Sequence, residues 1–284
     1  MRYAEYPPSP ALAPFVRCYW VLESDAPAPD TEPERVLPDG CSEIIVHFGD
    51  PFRRLDDGGR AVSQKRALFA GQLERFLLLR PEGRVGMFGI RFEPGGVRPF
   101  VNVALHELTG QIVALQDVWR DAGSLLEERL QAATNDPERI AISEAFLASQ
   151  LRGATVRMDV RRAVQRVVAT QGMLSVDELA QGLFGGRRKL ERTFREHVGL
   201  SPKRLARIVR FQSVFQCLEA DASVDTSGDT SSDPNTNWVR TAVDCGYYDQ
   251  SHLNRDFRQF AGLPPTHYTA ASHPIGDCFI VRSS

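Results

Sequence analysis

The chain is short of cysteine, histidine and long apolar runs, and each shortage removes a class of function. Its five cysteines (Cys18, Cys41, Cys217, Cys245 and Cys278) are odd in number and widely spaced, with no C-x-x-C pair. That pattern predicts scattered reduced thiols, not a disulfide framework or a structural zinc site. His47 is the only histidine before His106, too few for the several-His-plus-Glu set of a metal-dependent barrel. No metal and no cofactor is therefore expected. Nothing approaches the roughly 20 apolar residues of a membrane span. The opening MRYAEYPPSP has no basic region followed by an apolar core, so the expectation is a cytoplasmic protein without membrane contact.

What is present is a globular composition with an uneven charge. The 284 residues suffice for two domains with real cores. Residues 1–152 hold 17 basic and 22 acidic groups, whereas residues 157–210 hold 13 Lys or Arg against 5 acids, a net of +8. An acidic front and a basic block behind it predict two modules, the second facing an anion.

The periodicity divides the same way. Phe15–Leu22, Glu43–Phe48, Phe76–Arg80 and Arg84–Phe92 read as short strands separated by turn formers such as Asp39-Gly40 and Asp56-Asp57-Gly58-Gly59. Such spacing predicts a barrel or sandwich. Helical spacing follows over 121–133 and 138–151, with Asp136 as the expected cap and Pro137 in the first turn between them. This hairpin is expected to pack on the barrel or, in the favoured reading, to pair two subunits. From Val156 onward the pattern is helical, with a capping box at Ser175–Glu178. The exception is Ala220–Asn237, polar and low in complexity, which reads as a flexible loop.

The helical half contains a repeat. Leu190, Arg192, Phe194, Gly199 and Pro202 recur 63 positions later as Leu253, Arg255, Phe257, Gly262 and Pro265, the mark of a tandem duplication. Each copy reads as a short helix, a tight turn, a second helix and a Gly-x-x-Pro stop. Leu190, Phe194 and Val198 form the buried stripe of the first copy, and Leu253, Phe257 and Phe260 that of the second. Arg187, Arg188, Glu191, Arg192 and Arg195, then Gln250, Ser251, Asn254, Arg255 and Arg258, are left facing outward. Such residue types on a second helix suit a major groove: Arg for guanine or phosphate, Gln and Asn for adenine.

The run from Ala242 to Phe257 (AVDCGYYDQSHLNRDF), continued by Gly262-Leu-Pro-Pro265 and Tyr268, resembles the signature of AraC/XylS-type transcription regulators; the first copy is similar to that family's first helix-turn-helix. The resemblance covers about residues 157–270. It implies two helix-turn-helix units joined by a long helix near Pro202–Leu218, reading helices at Arg187–His197 and Gln250–Phe260, and His252 as packing support near the turn. Phe184-Gly185-Gly186 departs from the family's Gly, apolar residue and Ser cap. More weakly, the runs Leu37 to Gly49 and Phe88 to Gly96 are similar to the family's sensor domains. That likeness implies a cupin-like barrel, a small-molecule effector, RNA polymerase as a partner and homodimerisation. Glu43, His47 and Arg91 are the candidate effector contacts, although turn and core roles are the simpler reading of each.

The expected fold is thus α+β in two domains. A cupin-like β-barrel with a helical hairpin occupies 1–152, an all-α DNA-binding domain with two helix-turn-helix motifs occupies 157–270, and a tail runs over 271–284. The expected function is sequence-specific binding of double-stranded DNA in transcription regulation, without catalysis. The alternatives are a cupin-like small-molecule enzyme with an accessory helical domain, and a DNA-binding repressor without an effector.

Overall fold

The computed structural model describes residues 1–27, 33–56, 58–151, 157–181, 184–224 and 234–269. The expected tail at 271–284 and Cys278 lie outside them. The chain has a β-rich N-terminal region and a helical C-terminal region. The strands are β1 (Arg2–Tyr6), β2 (Val16–Pro27), β3 (Glu34–Val36), β4 (Glu43–His47), β5 (Arg53–Leu55), β6 (Ala61–Ser63), β7 (Ala67–Ala70), β8 (Leu77–Arg80), β9 (Arg84–Phe92) and β10 (Ile112–Ala114). They form an antiparallel sheet in the order β1-β2-β9-β4-β7-β10 and a second in the order β3-β8-β5-β6.

Alternation along β2, β4 and β9 explains why both faces of the larger sheet are apolar. Trp20, Leu22, Ile45, Val85 and Met87 meet Val36, Phe52 and Leu79 between the two sheets. Tyr19, Val21, Ile44, Val46, Phe88 and Ile90 face the opposite way, onto Trp119, Leu126, Leu130 and Leu147. Those last residues belong to α1 (Leu115–Trp119), α2 (Asp121–Ala132) and α3 (Asp136–Gln150). One expectation changes here. The strands form two open sheets, not a closed barrel, among the described residues, because the edge strands β1 and β10 each pair with one neighbour and not with each other. The α2–α3 hairpin packs Leu126, Leu130 and Leu147 on the larger sheet, while Leu125 of the same apolar stripe stays exposed.

The cap of α3 also differs from expectation. Asn135, not Asp136, accepts the Glu138 N–H at 3.0 Å. Asp136 is buried and accepts from Arg2 at 2.8 Å and Tyr6 at 2.7 Å, tying β1 to the hairpin.

The helical region comprises α4 (Met158–Ala169), α5 (Val176–Ala180), α6 (Arg187–His197), α7 (Pro202–Val224), α8 (Pro234–Asp244), α9 (Gln250–Phe260) and α10 (Pro265–Thr269). Its core draws on every one of them and includes Val164, Leu190, Phe194, Phe211, Trp238, Leu253, Phe257 and Tyr268. The expected loop at 220–237 is shorter than its polar composition implied: α7 runs on through Val224 and α8 begins at Pro234, with 225–233 outside the described residues.

The two regions are packed together. Leu37 lies in the helical core and Phe76 packs against it. Gln212 Nε2 donates to Pro38 O at 2.7 Å, and Thr109 Oγ1 donates to Gly199 O at 2.9 Å. Asp39-Gly40 makes the expected turn. Gly40 has φ +80°, and a Cβ there would meet Leu205 at 3.0 Å, so a larger residue is excluded where the turn abuts α7.

Candidate nucleic-acid interface

Each copy of the repeat builds a pair of helices, α5 with α6 and α8 with α9. In the first, Ser175 and Glu178 close a reciprocal capping box that starts α5. Gly185 and Gly186 take φ +64° and +130° ahead of α6, backbone that a residue with a side chain rarely adopts. In the second, Tyr247 N–H returns to Ala242 O at 2.8 Å across Gly246 at φ +71°, a Schellman stop for α8. Asp249 Oδ1 then accepts the His252 N–H at 2.7 Å and starts α9.

Helices α6 and α9 are each 11 residues long and stand 63 positions apart. Leu190, Phe194 and Val198 are fully buried in the first unit, as are Leu253, Phe257 and Phe260 in the second. The opposite faces carry the expected residues. Arg187, Arg188, Arg192, Arg195, Ser251, Arg255 and Arg258 are exposed, and Glu191, Gln250 and Asn254 are half-buried. Lys189 is exposed too; it lies in the same basic run and belongs with them.

The electrostatics of α6 run against helix stability. Arg187, Arg188 and Lys189 crowd its first turn, where the helix dipole disfavours cations. Glycine at the N-cap supplies no side-chain acceptor and the first turn has no acid. Among the described residues, Arg187 alone of the three is compensated, by Glu191 at 3.1 Å and Asp177 at 3.7 Å. Glu191 is thus tied up as a counter-ion.

Sequence reading missed the groups that hold α9. Asp256 is 1% exposed and paired with Arg207 of α7, which also reaches Gln259 Oε1. Arg204 and Arg207 sit over the Phe260 ring at 4.9 and 5.3 Å. These partners are about 50 residues apart in sequence, and no local pattern links them. His252 meets Tyr247 edge to face at 5.1 Å, so it packs against the turn.

Of Glu43, His47 and Arg91, the first and last are brought together and His47 is not. Arg91 Nε donates to Glu43 Oε1 at 2.6 Å, with Asp39 at 3.7 Å. Burial opposes the guanidinium's charge, but Glu43 and Asp39 outweigh it and hold Arg91 protonated. His47 is four residues along β4, about 13 Å away, beside Phe52 at 5.6 Å. The space between the sheets near Glu43 is about 50 Å³, room for one or two waters. A larger cleft of about 670 Å³ opens between the two regions. Phe15, Pro94 and Pro99 line it on one side, Val160, Val164 and Val168 of α4 on the other, and Arg98, Arg157 and Arg161 add positive charge.

A family model described as a domain of unknown function (DUF6597) matches residues 4–114, the β-rich part through β10. No curated protein matches. Among solved structures, one of ToxT from Vibrio cholerae is 11% identical, with a TM-score of 0.46, over 88% of this chain and 97% of that one. ToxT with bound unsaturated fatty acid is 14% identical with a TM-score of 0.44, covering 94% and 98%. ToxT bound to (E)-4-(8-methylnaphthalen-1-yl)but-3-enoic acid is 12% identical with a TM-score of 0.43, covering 87% and 96%.

Proposed function

We propose that the chain is a sequence-specific DNA-binding transcription regulator, its two units being helix-turn-helix motifs with α6 and α9 as the helices that enter the major groove. The observation that carries this reading is the duplicated helix whose inner face is apolar at Leu190, Phe194 and Val198 and again at Leu253, Phe257 and Phe260, and whose outer face carries exposed arginines, in α6 at a cost to the helix itself. Arg188, Lys189, Arg192, Arg195, Arg255 and Arg258 supply phosphate or guanine contacts, and Ser251 supports the backbone. Gln250 and Asn254, held by a helix that Asp256 and Arg207 fix, supply choice of base. An enzyme has no comparable support, since Glu43, His47 and Arg91 do not converge on one point.

Affinity for duplex DNA should fall steeply with salt. Arg188→Ala or Arg192→Ala should weaken binding to all sequences and reduce the salt slope by about one each. Gln250→Ala or Asn254→Ala should instead relax selection at one base pair, costing roughly 1–3 kcal/mol on the preferred site only. Selection of a site from random duplexes, followed by anisotropy titrations over a salt series, separates these. Absence of any sequence-preferring binding at moderate salt would overturn the reading.

We assign the small-molecule effector to the cleft between the two regions instead of to Glu43, His47 and Arg91. Its size is that of an ordinary ligand site, and both regions line it, so an occupant there would alter how α4 sits against the β-rich part.

A further inference from the structure

We propose that Cys217 and Cys245 are a redox-active pair that closes into an intramolecular disulfide, a covalent clasp between α7 and the turn ahead of α9. The two Sγ atoms are 3.0 Å apart, about 1 Å from bonding distance. Both are free thiols. Cys217 is half-buried on α7, whereas Cys245 is 1% exposed, so an oxidant in solution meets Cys217 first. Cys245 is held in place from both sides: its N–H bonds Thr241 O at 3.0 Å, and the Schellman stop follows immediately. The other described thiols, Cys18 and Cys41, are buried in the β-rich region. The ring closed by the link would enclose the whole of α8, because the partners lie 28 residues apart.

The chemistry balances with a small disulfide such as oxidised glutathione as the oxidant. The Cys217 thiolate attacks one glutathione sulfur, the glutathione S–S bond breaks, and one glutathione thiolate leaves. Cys245 then gives its proton to solvent and attacks the Cys217 sulfur, expelling the second glutathione thiolate. Two protein thiols are oxidised and one disulfide is reduced to two thiols. Burial pushes the Cys245 thiol up, so it is a poor nucleophile toward solvent oxidants. Contact with the derivatised Cys217 sulfur supplies the proximity that drives the second step. Closing the ring takes freedom from the unfolded chain and makes the rigidity of the second unit depend on redox state. The link stands on thiol geometry and does not rest on the DNA-binding reading.

The test is to incubate the full chain with oxidised glutathione, trap free thiols, and combine intact mass with peptide mapping. The expected product has lost two hydrogens, yields one peptide joining residues 217 and 245, and reverts with dithiothreitol. Its thermal midpoint should exceed that of the reduced protein, and amide exchange across α8 should slow. Cys217→Ser should lose the link and the oxidant-dependent shift while melting like the reduced protein without oxidant, which shows that it folds. A glutathione adduct that persists on Cys217, a link to Cys278, a link between chains, or no loss of thiol at all would each overturn the proposal.

Discussion

His47 shows how a single side chain can carry a measurable signature with no part in the interface. It is fully buried beside Phe52, and burial pushes its pKa down to about 4 from an ordinary 6.5. The folded state therefore binds fewer protons than the unfolded chain between those values. Stability should be fully present above about pH 6.5 and should fall as pH drops toward 4, by about 3 kcal/mol in all. Denaturant titrations across that window should show this slope, and His47→Gln should flatten it. An unchanged slope in the variant would assign the effect to other groups. The sequence showed His47 on a strand face with Glu43. It did not show that Arg91, 48 residues away, neutralises Glu43 across the β4–β9 ladder, because such pairing is fixed by register and not by local pattern.

At the scale of elements, legibility followed length and capping chemistry. The inner faces of α6 and α9 were readable because three apolar residues at helical spacing precede a Gly-x-x-Pro stop in each copy, and their bounds followed from the family resemblance. β9 was readable because Val85, Met87, Phe88, Ile90 and Phe92 stand between the turn signals Pro81–Gly83 and Pro94–Gly96. β3, β5, β6 and β10 have three residues each, too few to show a period, and they exist through their pairing partners. Helix α7 overran its expected end because a polar composition does not by itself stop a helix that carries no Pro or Gly before Gly228. The caps give a direct test. Asp249→Ala removes the side-chain acceptor that starts α9 and should cost about 1 kcal/mol of stability. On the proposed function it should also weaken DNA binding, since Gln250 and Ser251 are the next two residues. By contrast, a change at Gly186, where no side chain caps α6, has no capping bond to lose.

For the whole molecule, the boundary drawn from charge and periodicity near residues 152–157 does not coincide with the boundary of the cores. Leu37 is part of the helical core, and Phe76 packs against it close enough that a Cβ on Gly262 would sit 2.4 Å from its ring. Gly199, at the end of α6, is held by Thr109, and Arg204 of α7 bonds Glu74 O. The β-rich region thus touches the chain just past both candidate reading helices, through Gln72–Phe76 and Thr109 and, at the end of α6, also through Gly95 and Leu105. A fragment limited to residues 157–270 lacks Leu37, Phe76 and the Pro38 carbonyl that accepts from Gln212. It uncovers apolar surface around Leu205 and Ile208 and loses the Gln212–Pro38 hydrogen bond, a loss of several kcal/mol by area and hydrogen-bond arguments. The fragment should therefore melt well below the intact protein, and the intact protein should unfold in one transition by calorimetry and by circular dichroism. Phe76→Ala in the full chain should move the midpoint part of the way toward the fragment's. Two separate transitions, with a fragment as stable as the whole, would mean that the contacts at Leu37 and Phe76 carry no coupling between the two regions.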